Sequence, residues 1–217
     1  MRRKEIVQLI EEGESLICEF KLKFSSHDKI AKGITAFANT KGGVMIFGVD
    51  DSKAIAGVAS EKEETELINE TAKIYCEPPV EIFFHYFSIE NKEIVVVEIP
   101  ESKTKPHRIQ DFQEFDINNS IVYLRVNDKS VQASKEMIRV LRSSTNNKVL
   151  EKYFIGDLEK IVFKLFQQSE NISVKQFCDA ANISERRASR TLVKMVRAGL
   201  LFIHTKDNGE VYFTSLG

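Results

Sequence analysis

The sequence predicts an α+β fold: a mixed β-sheet with flanking helices, followed by a smaller helical domain that closes in a hairpin. Three observations predict it. A helical segment ending in Asn39-Thr40-Lys41 runs into Gly42-Gly43 and then into the unbroken apolar run Val44–Val49, which suits a strand buried on both faces. Leu16–Lys23 alternates apolar and charged residues, and Val80–Ser88 and Glu93–Ile99 are rich in β-branched and aromatic residues, so further strands surround the first. After the polar hexapeptide Ser143–Lys148 the periodicity becomes helical, ending at an Asn208-Gly209 hairpin signal.

In order, the chain opens with a short amphipathic helix carrying Ile6, Leu9 and Ile10. The first strand puts Leu16, Cys18, Phe20 and Leu22 on one face and Glu19, Lys21 and Lys23 on the other. Ser25–Asp28 offers caps for a helix over Lys29–Thr40, and Gly42 is expected to end it in a left-handed conformation. Asp51-Ser52-Lys53 is expected to turn the chain into a short hairpin strand, Ala54–Val58. Glu61–Tyr75 reads as a helix with an acidic start, stopped by Pro78-Pro79. Pro100–Asn119 reads as an exposed loop whose length makes it a candidate functional loop, and Ser120–Val126 as a strand. Ser134 caps a helix bearing Met137, Ile138 and Leu141.

The expected domains are 1–142 and 149–217, with 143–148 as the linker. In the second, Asp157–Gln168, Val174–Ala181 and a helix capped by Ser184 are followed by strands Leu200–Thr205 and Glu210–Thr214.

Composition narrows the function. The chain has 217 residues and a formal net charge of −1, so nucleic-acid binding would come from local patches rather than from a basic coat. Three scattered cysteines without CxxC spacing read as reduced thiols of a cytoplasmic protein. No apolar run reaches membrane-spanning length, and Met1–Ser15 lacks a signal-peptide core.

One basic helix stands out. Arg186, Arg187, Arg190, Lys194 and Arg197 face a single carboxylate, Glu185, while Leu192, Val193 and Val196 recur on the core side. A basic helix entered through a tight turn suits the major groove of duplex DNA. The segment Lys175–Leu201 resembles the winged helix-turn-helix family, with Lys206 at the tip of the wing.

The N-terminal part carries a second resemblance. Three blocks, Glu14–Lys21 (ESLICEFK), Gly33–Asp51 and Ser120–Ser134, occur in the order found in the Schlafen/Alba-like DNA-binding domain family, formerly labelled divergent AAA-type. That resemblance implies DNA binding; Lys21, on the same face as Glu19, and Lys41, beside the glycines, are candidate phosphate and backbone contacts. Its RNA-cleaving members imply an alternative: a nuclease using Glu14, Glu19 and Asp50 to hold Mg or Mn. Clustered carboxylates of this kind activate water, whereas isolated ones serve as turn formers or surface residues.

ATP binding is excluded by the order of elements. A phosphate loop runs strand, glycines, helix, but here the helix precedes the glycines and no GxxxxGK[ST] occurs. His27, His85, His107 and His204 lack metal-ligand spacing and read as surface or structural residues. Lys103, Lys105 and Arg108, with Phe112, are further candidates for nucleic-acid contact. The sequence therefore supports a cytoplasmic, homodimeric transcriptional regulator that binds duplex DNA without a cofactor. The nuclease and a protein-interaction adaptor remain as alternatives.

Overall fold

Gly42 and Gly43 decide how closely the central strand approaches its neighbours. A Cβ on Gly42 would stand 2.6 Å from the Ile99 carbonyl oxygen, and one on Gly43 2.6 Å from the Phe37 ring. With φ of +73°, Gly42 also adopts a conformation that L side chains resist. In the computed structural model, which describes residues 1–110, 112, 120–145 and 153–216, these glycines begin β2 (Gly42–Phe47). The helix before it, α2 (His27–Asn39), ends earlier than expected, with Thr40 as its C-cap. Gly42 is thus a strand residue, not the helix cap.

The described residues divide into two compact units, Met1–Gln132 and Ala133–Gly217. In the first, β2 runs parallel to β1 (Cys18–Lys21) and antiparallel to β5 (Lys92–Pro100), which pairs antiparallel with β4 (Phe83–Ile89). The sheet order is β1-β2-β5-β4. One face packs on α2 and α3 (Glu61–Ile74) through Ile34, Phe37, Met45, Phe47, Ile68 and Val97. The other packs on α1 (Arg3–Glu12) through Ile6, Ile10, Phe20, Ile46 and Val96. The mixed sheet with helices on both faces follows from the apolar run in β2, whose alternate residues enter the two cores.

Small paired segments complete the unit. β3 (Cys76–Glu77) pairs with β6 (Arg108–Ile109), and β7 (Tyr123–Val126) with β8 (Lys129–Gln132). The hairpin strand expected at Ala54–Val58 is reduced to one bridge, Val49 to Ile55. Asp50 explains this, because its carboxylate accepts from Ser52 N, Ser52 Oγ and Ala54 N and curls the chain into a tight turn. Within the long loop, Pro106, His107 and Arg108 are buried rather than exposed. Positions 111 and 113–119 of that loop lie outside the described residues.

The second unit begins with α4 (Lys135–Thr145), whose first turn is capped by Ser134. The sequence predicts this helix, up to residue 142, as part of the first domain, with a linker over 143–148. Instead α4 packs on α7 (Glu185–Arg197), and the division falls between Gln132 and Ala133. Residues 146–148 of that linker lie outside the described residues. α5 (Asp157–Phe166), α6 (Val174–Ala181) and α7 enclose a core of Val162, Phe177, Ala188, Leu192 and Met195. Asn182, left-handed at φ +49°, makes the turn between α6 and α7. β9 (Leu201–Thr205) and β10 (Val211–Ser215) form the closing antiparallel hairpin.

Candidate functional site

In the first unit Arg125, Glu14, Glu19, Lys21 and Asp50 are engaged within the fold. Arg125, on β7, is almost wholly buried, with 1% of its side chain exposed. Its Nη1 meets Glu19 Oε2 at 2.6 Å and Ser130 Oγ at 3.2 Å, and its Nη2 donates to the Ser15 carbonyl at 2.7 Å. The guanidinium also lies over the Phe37 ring, 4.6 Å from its centroid. Lys21 pairs with the second oxygen of Glu19 and donates to the Phe20 carbonyl at 3.0 Å. Glu19 is therefore held between two cations.

The other two candidate carboxylates are also engaged. Glu14 Oε1 accepts the Phe20 N–H at 2.8 Å. Asp50 is held below the usual carboxylate range, first by the Ser52 hydroxyl and then by backbone N–H groups. Among the described residues, no group of three or more His, Cys, Asp or Glu side chains is assembled to hold a metal ion. Glu14, Glu19 and Asp50 thus do not form the expected carboxylate cluster. Each one serves a strand edge, an ion pair or a turn.

The end of α2 anchors the long loop. Asn39 donates to the carbonyls of His107 (2.8 Å) and Tyr123 (3.0 Å), and its Oδ1 accepts the His107 N–H (2.7 Å). Thr40 Oγ1 accepts the Arg125 N–H at 2.9 Å. Lys105, expected on an exposed loop, instead places its ammonium on the Thr40 carbonyl at 2.8 Å and on Glu101 at 2.6 Å. A cation beside the last carbonyls of a helix sits where the macrodipole favours it. Arg108 is buried, so the loop's expected cationic surface shrinks to Lys103. Lys41 is exposed beside a shallow cleft of about 320 Å³ bordered by Met1, Leu9, Ile17 and Pro100.

His107 Nδ1 lies 2.7 Å from the Pro78 carbonyl, which can only accept, so Nδ1 carries the proton. Nε2 then accepts from the Ser102 hydroxyl at 2.6 Å. Burial holds this imidazole below its ordinary pKa, which favours the neutral form.

In the second unit the arrangement is reversed. α7 buries Ala188, Leu192 and Met195 in the core. Ser189, also buried, donates to Glu136 at 2.6 Å and accepts from Arg139 at 2.7 Å, both on α4. What remains on the outer face is Arg186, Arg187, Arg190 and Lys194, all exposed. Among the described residues, these four make no ion pair. Lys206, on the hairpin turn, is exposed and 3.5 Å from Glu210. The contacts of Arg125 and Asn39 are not predictable from the sequence pattern. Their only signal was a cation and an amide within otherwise apolar elements.

The chain belongs to the Schlafen AlbA_2 family, whose model matches residues 14–134. That membership associates it with nucleic-acid-related function. Two solved structures are similar in fold. One is the DIP2311 protein of Corynebacterium diphtheriae, at 12% identity and a TM-score of 0.45, covering 70% of this chain and 32% of that one. The other is the N-terminal domain of a RecG-related protein of Nitrosomonas europaea, at 18% identity and a TM-score of 0.41, covering 51% of this chain and 79% of that one. The chain therefore spans about a third of the DIP2311 protein. No curated protein matches it. Among the described residues, no helix is long and apolar enough to cross a membrane.

Proposed function

We propose that this chain is a DNA-binding transcriptional regulator whose second unit acts as a winged helix, with α7 as the element that reads duplex DNA. The observation that carries this reading is the outer face of α7. Arg186, Arg187, Arg190 and Lys194 are exposed there without an ion-pair partner among the described residues. A fixed helix with its opposite face buried holds such cations at small entropic cost. Those in its first turns reach base edges, and those farther along reach phosphates. Lys206 adds a backbone contact from the hairpin turn. The first unit contributes oligomerisation and backbone contact, the latter through Lys41, since Lys21 is engaged with Glu19.

Fluorescence anisotropy with labelled duplex DNA tests the reading. Arg186→Ala, Arg187→Ala and Arg190→Ala should each weaken binding by ~1–3 kcal/mol where a guanine is read. Lys194→Ala should instead lower the salt slope by about one unit. Undiminished binding by a variant lacking all four cations would overturn the assignment to α7. Release of labelled fragments with manganese, abolished by EDTA and by Glu19→Gln, would replace it with the nuclease.

A further inference from the structure

The two outer strands of the sheet, β1 and β4, end in opposite ways. In β1, Val44 N–H bonds the Ile17 carbonyl and Gly48 N–H the Lys21 carbonyl, so Cys18 and Phe20 turn their backbone groups outward. Side chains and a local turn occupy three of those four groups. Glu14 takes the Phe20 N–H, Lys21 the Phe20 carbonyl, and Ser15 N–H the Cys18 carbonyl. The β1 edge is closed.

β4 has no such cover. Its hairpin with β5 turns through Glu90 and Asn91, with φ of +54° and +58°. A two-residue turn with both φ positive closes on a hydrogen-bonded pair, here Ile89 and Lys92. Antiparallel alternation then directs the backbone groups of Phe87, His85 and Phe83 toward β5. Phe84, Tyr86 and Ser88 point theirs away from the sheet. Among the described residues, these outward groups have no backbone partner. The strand is seven residues long, FFHYFSI, with no Lys, Asp, Glu or Pro within it. Those are the devices that natural edges use against pairing.

We propose that the β4 edge pairs antiparallel with β4 of a second copy of this chain, joining two four-stranded sheets into one. Self-complementarity selects this occupant. A two-fold axis at Tyr86 sets Tyr86 against Tyr86 of the second copy and Phe84 against Ser88, so every outward N–H and C=O finds a partner. On the α1 face, the same register brings Phe83 beside Ile89 and His85 beside Phe87 of the second copy. This extends the apolar layer to which Phe87 and Ile89 already belong. On the other face, the cleft of about 380 Å³ beside Tyr86 carries Glu61, Lys62 and Glu66. Both signs of charge border it, with Lys62 3.8 Å from Glu66, so a second copy meets no single-sign field there. An unlike partner would need a second, matching pattern, whereas a copy of this chain carries one already. The pairing gives the regulator reading its dimer but rests on the sheet edge alone.

The test is the mass of the full-length chain in solution by light scattering, without nucleic acid, so its outcome is independent of DNA binding. The wild type should run at twice 24.8 kDa at micromolar concentration. Tyr86→Lys sets like charges opposite each other at the axis, and Ser88→Pro removes an outward N–H without breaking a bond to β5. Each should give a 24.8 kDa monomer with unchanged far-ultraviolet circular dichroism. Should either variant fail to fold, hydrogen exchange on the wild type decides. The amides of Phe84, Tyr86 and Ser88 should be protected at high concentration and exchange quickly on dilution, while those of His85 and Phe87 stay protected throughout. A monomeric wild type, a dimer surviving both substitutions, or rapid exchange of those three amides within the dimer would each overturn the proposal.

Discussion

Arg125 and Arg190 carry the same charge on the same kind of side chain, yet the molecule uses them in opposite ways. Arg125 is buried and bonded to Glu19, Ser15 and Ser130, while Arg190 stands exposed on α7 without a counter-ion among the described residues. The contrast extends to their surroundings. In the first unit, Glu14, Glu19, Lys21 and Asp50 are all engaged by backbone or by each other. On α7 a row of cations faces outward from a helix whose other side is apolar. Charge turned inward fixes the positions of chain segments far apart in sequence. Charge turned outward on a rigid helix is available to a polyanion.

Breaking the inward set should have the largest effect. Arg125→Met removes one partner of a buried pair and leaves Glu19 facing Lys21 alone, so stability should fall by about 3–5 kcal/mol. Urea denaturation of the two proteins reads this directly, and an unchanged midpoint would mean that the network contributes little. The same measurement sharpens the contrast on the outward set. Arg186→Ala, Arg187→Ala and Arg190→Ala should each alter stability by no more than about 0.5 kcal/mol, even where DNA affinity drops. A large loss of stability from any of them would show that α7's cations hold the fold after all.

The sequence revealed the elements better than their partnerships. β2 was legible because a continuous apolar run after two glycines has few other solutions, and α6 because Ser173 and Asn182 bracket it with cap chemistry. The outer face of α7 was legible for the same reason, since helical periodicity alone separates Arg186 and Arg190 from Leu192. The roles of Glu14 and Glu19 were not. Whether a carboxylate holds a metal, pairs with an arginine or covers a strand edge depends on what folding brings beside it. For Glu19 that residue lies 106 positions away. The place of α4 was hidden similarly, because its hydrogen bonds with α7 join Glu136, Arg139 and Ser189, none of them apolar. The polar stretch after it read as a linker although Ser143, Ser144 and Thr145 continue the helix.

His107 offers the finest test of inward-turned polarity, because its effect is a change of slope rather than a loss of fold. Burial lowers its pKa in the folded chain, and the nearby cations Lys105 and Arg108 act in the same direction. The unfolded chain, with an ordinary histidine near pH 6.5, then binds more protons than the folded one as the solution is acidified. The neutral side chain's contribution is therefore fully present above about pH 6.5 and is lost as pH falls through that value toward the folded pKa. His107→Gln keeps a polar side chain but has no proton to gain. The stability gap between wild type and this variant should accordingly shrink between about pH 8 and about pH 5. Thermal melts across that range measure the gap. A constant gap would mean that His107 titrates alike in both states, and that its burial does not hold it neutral.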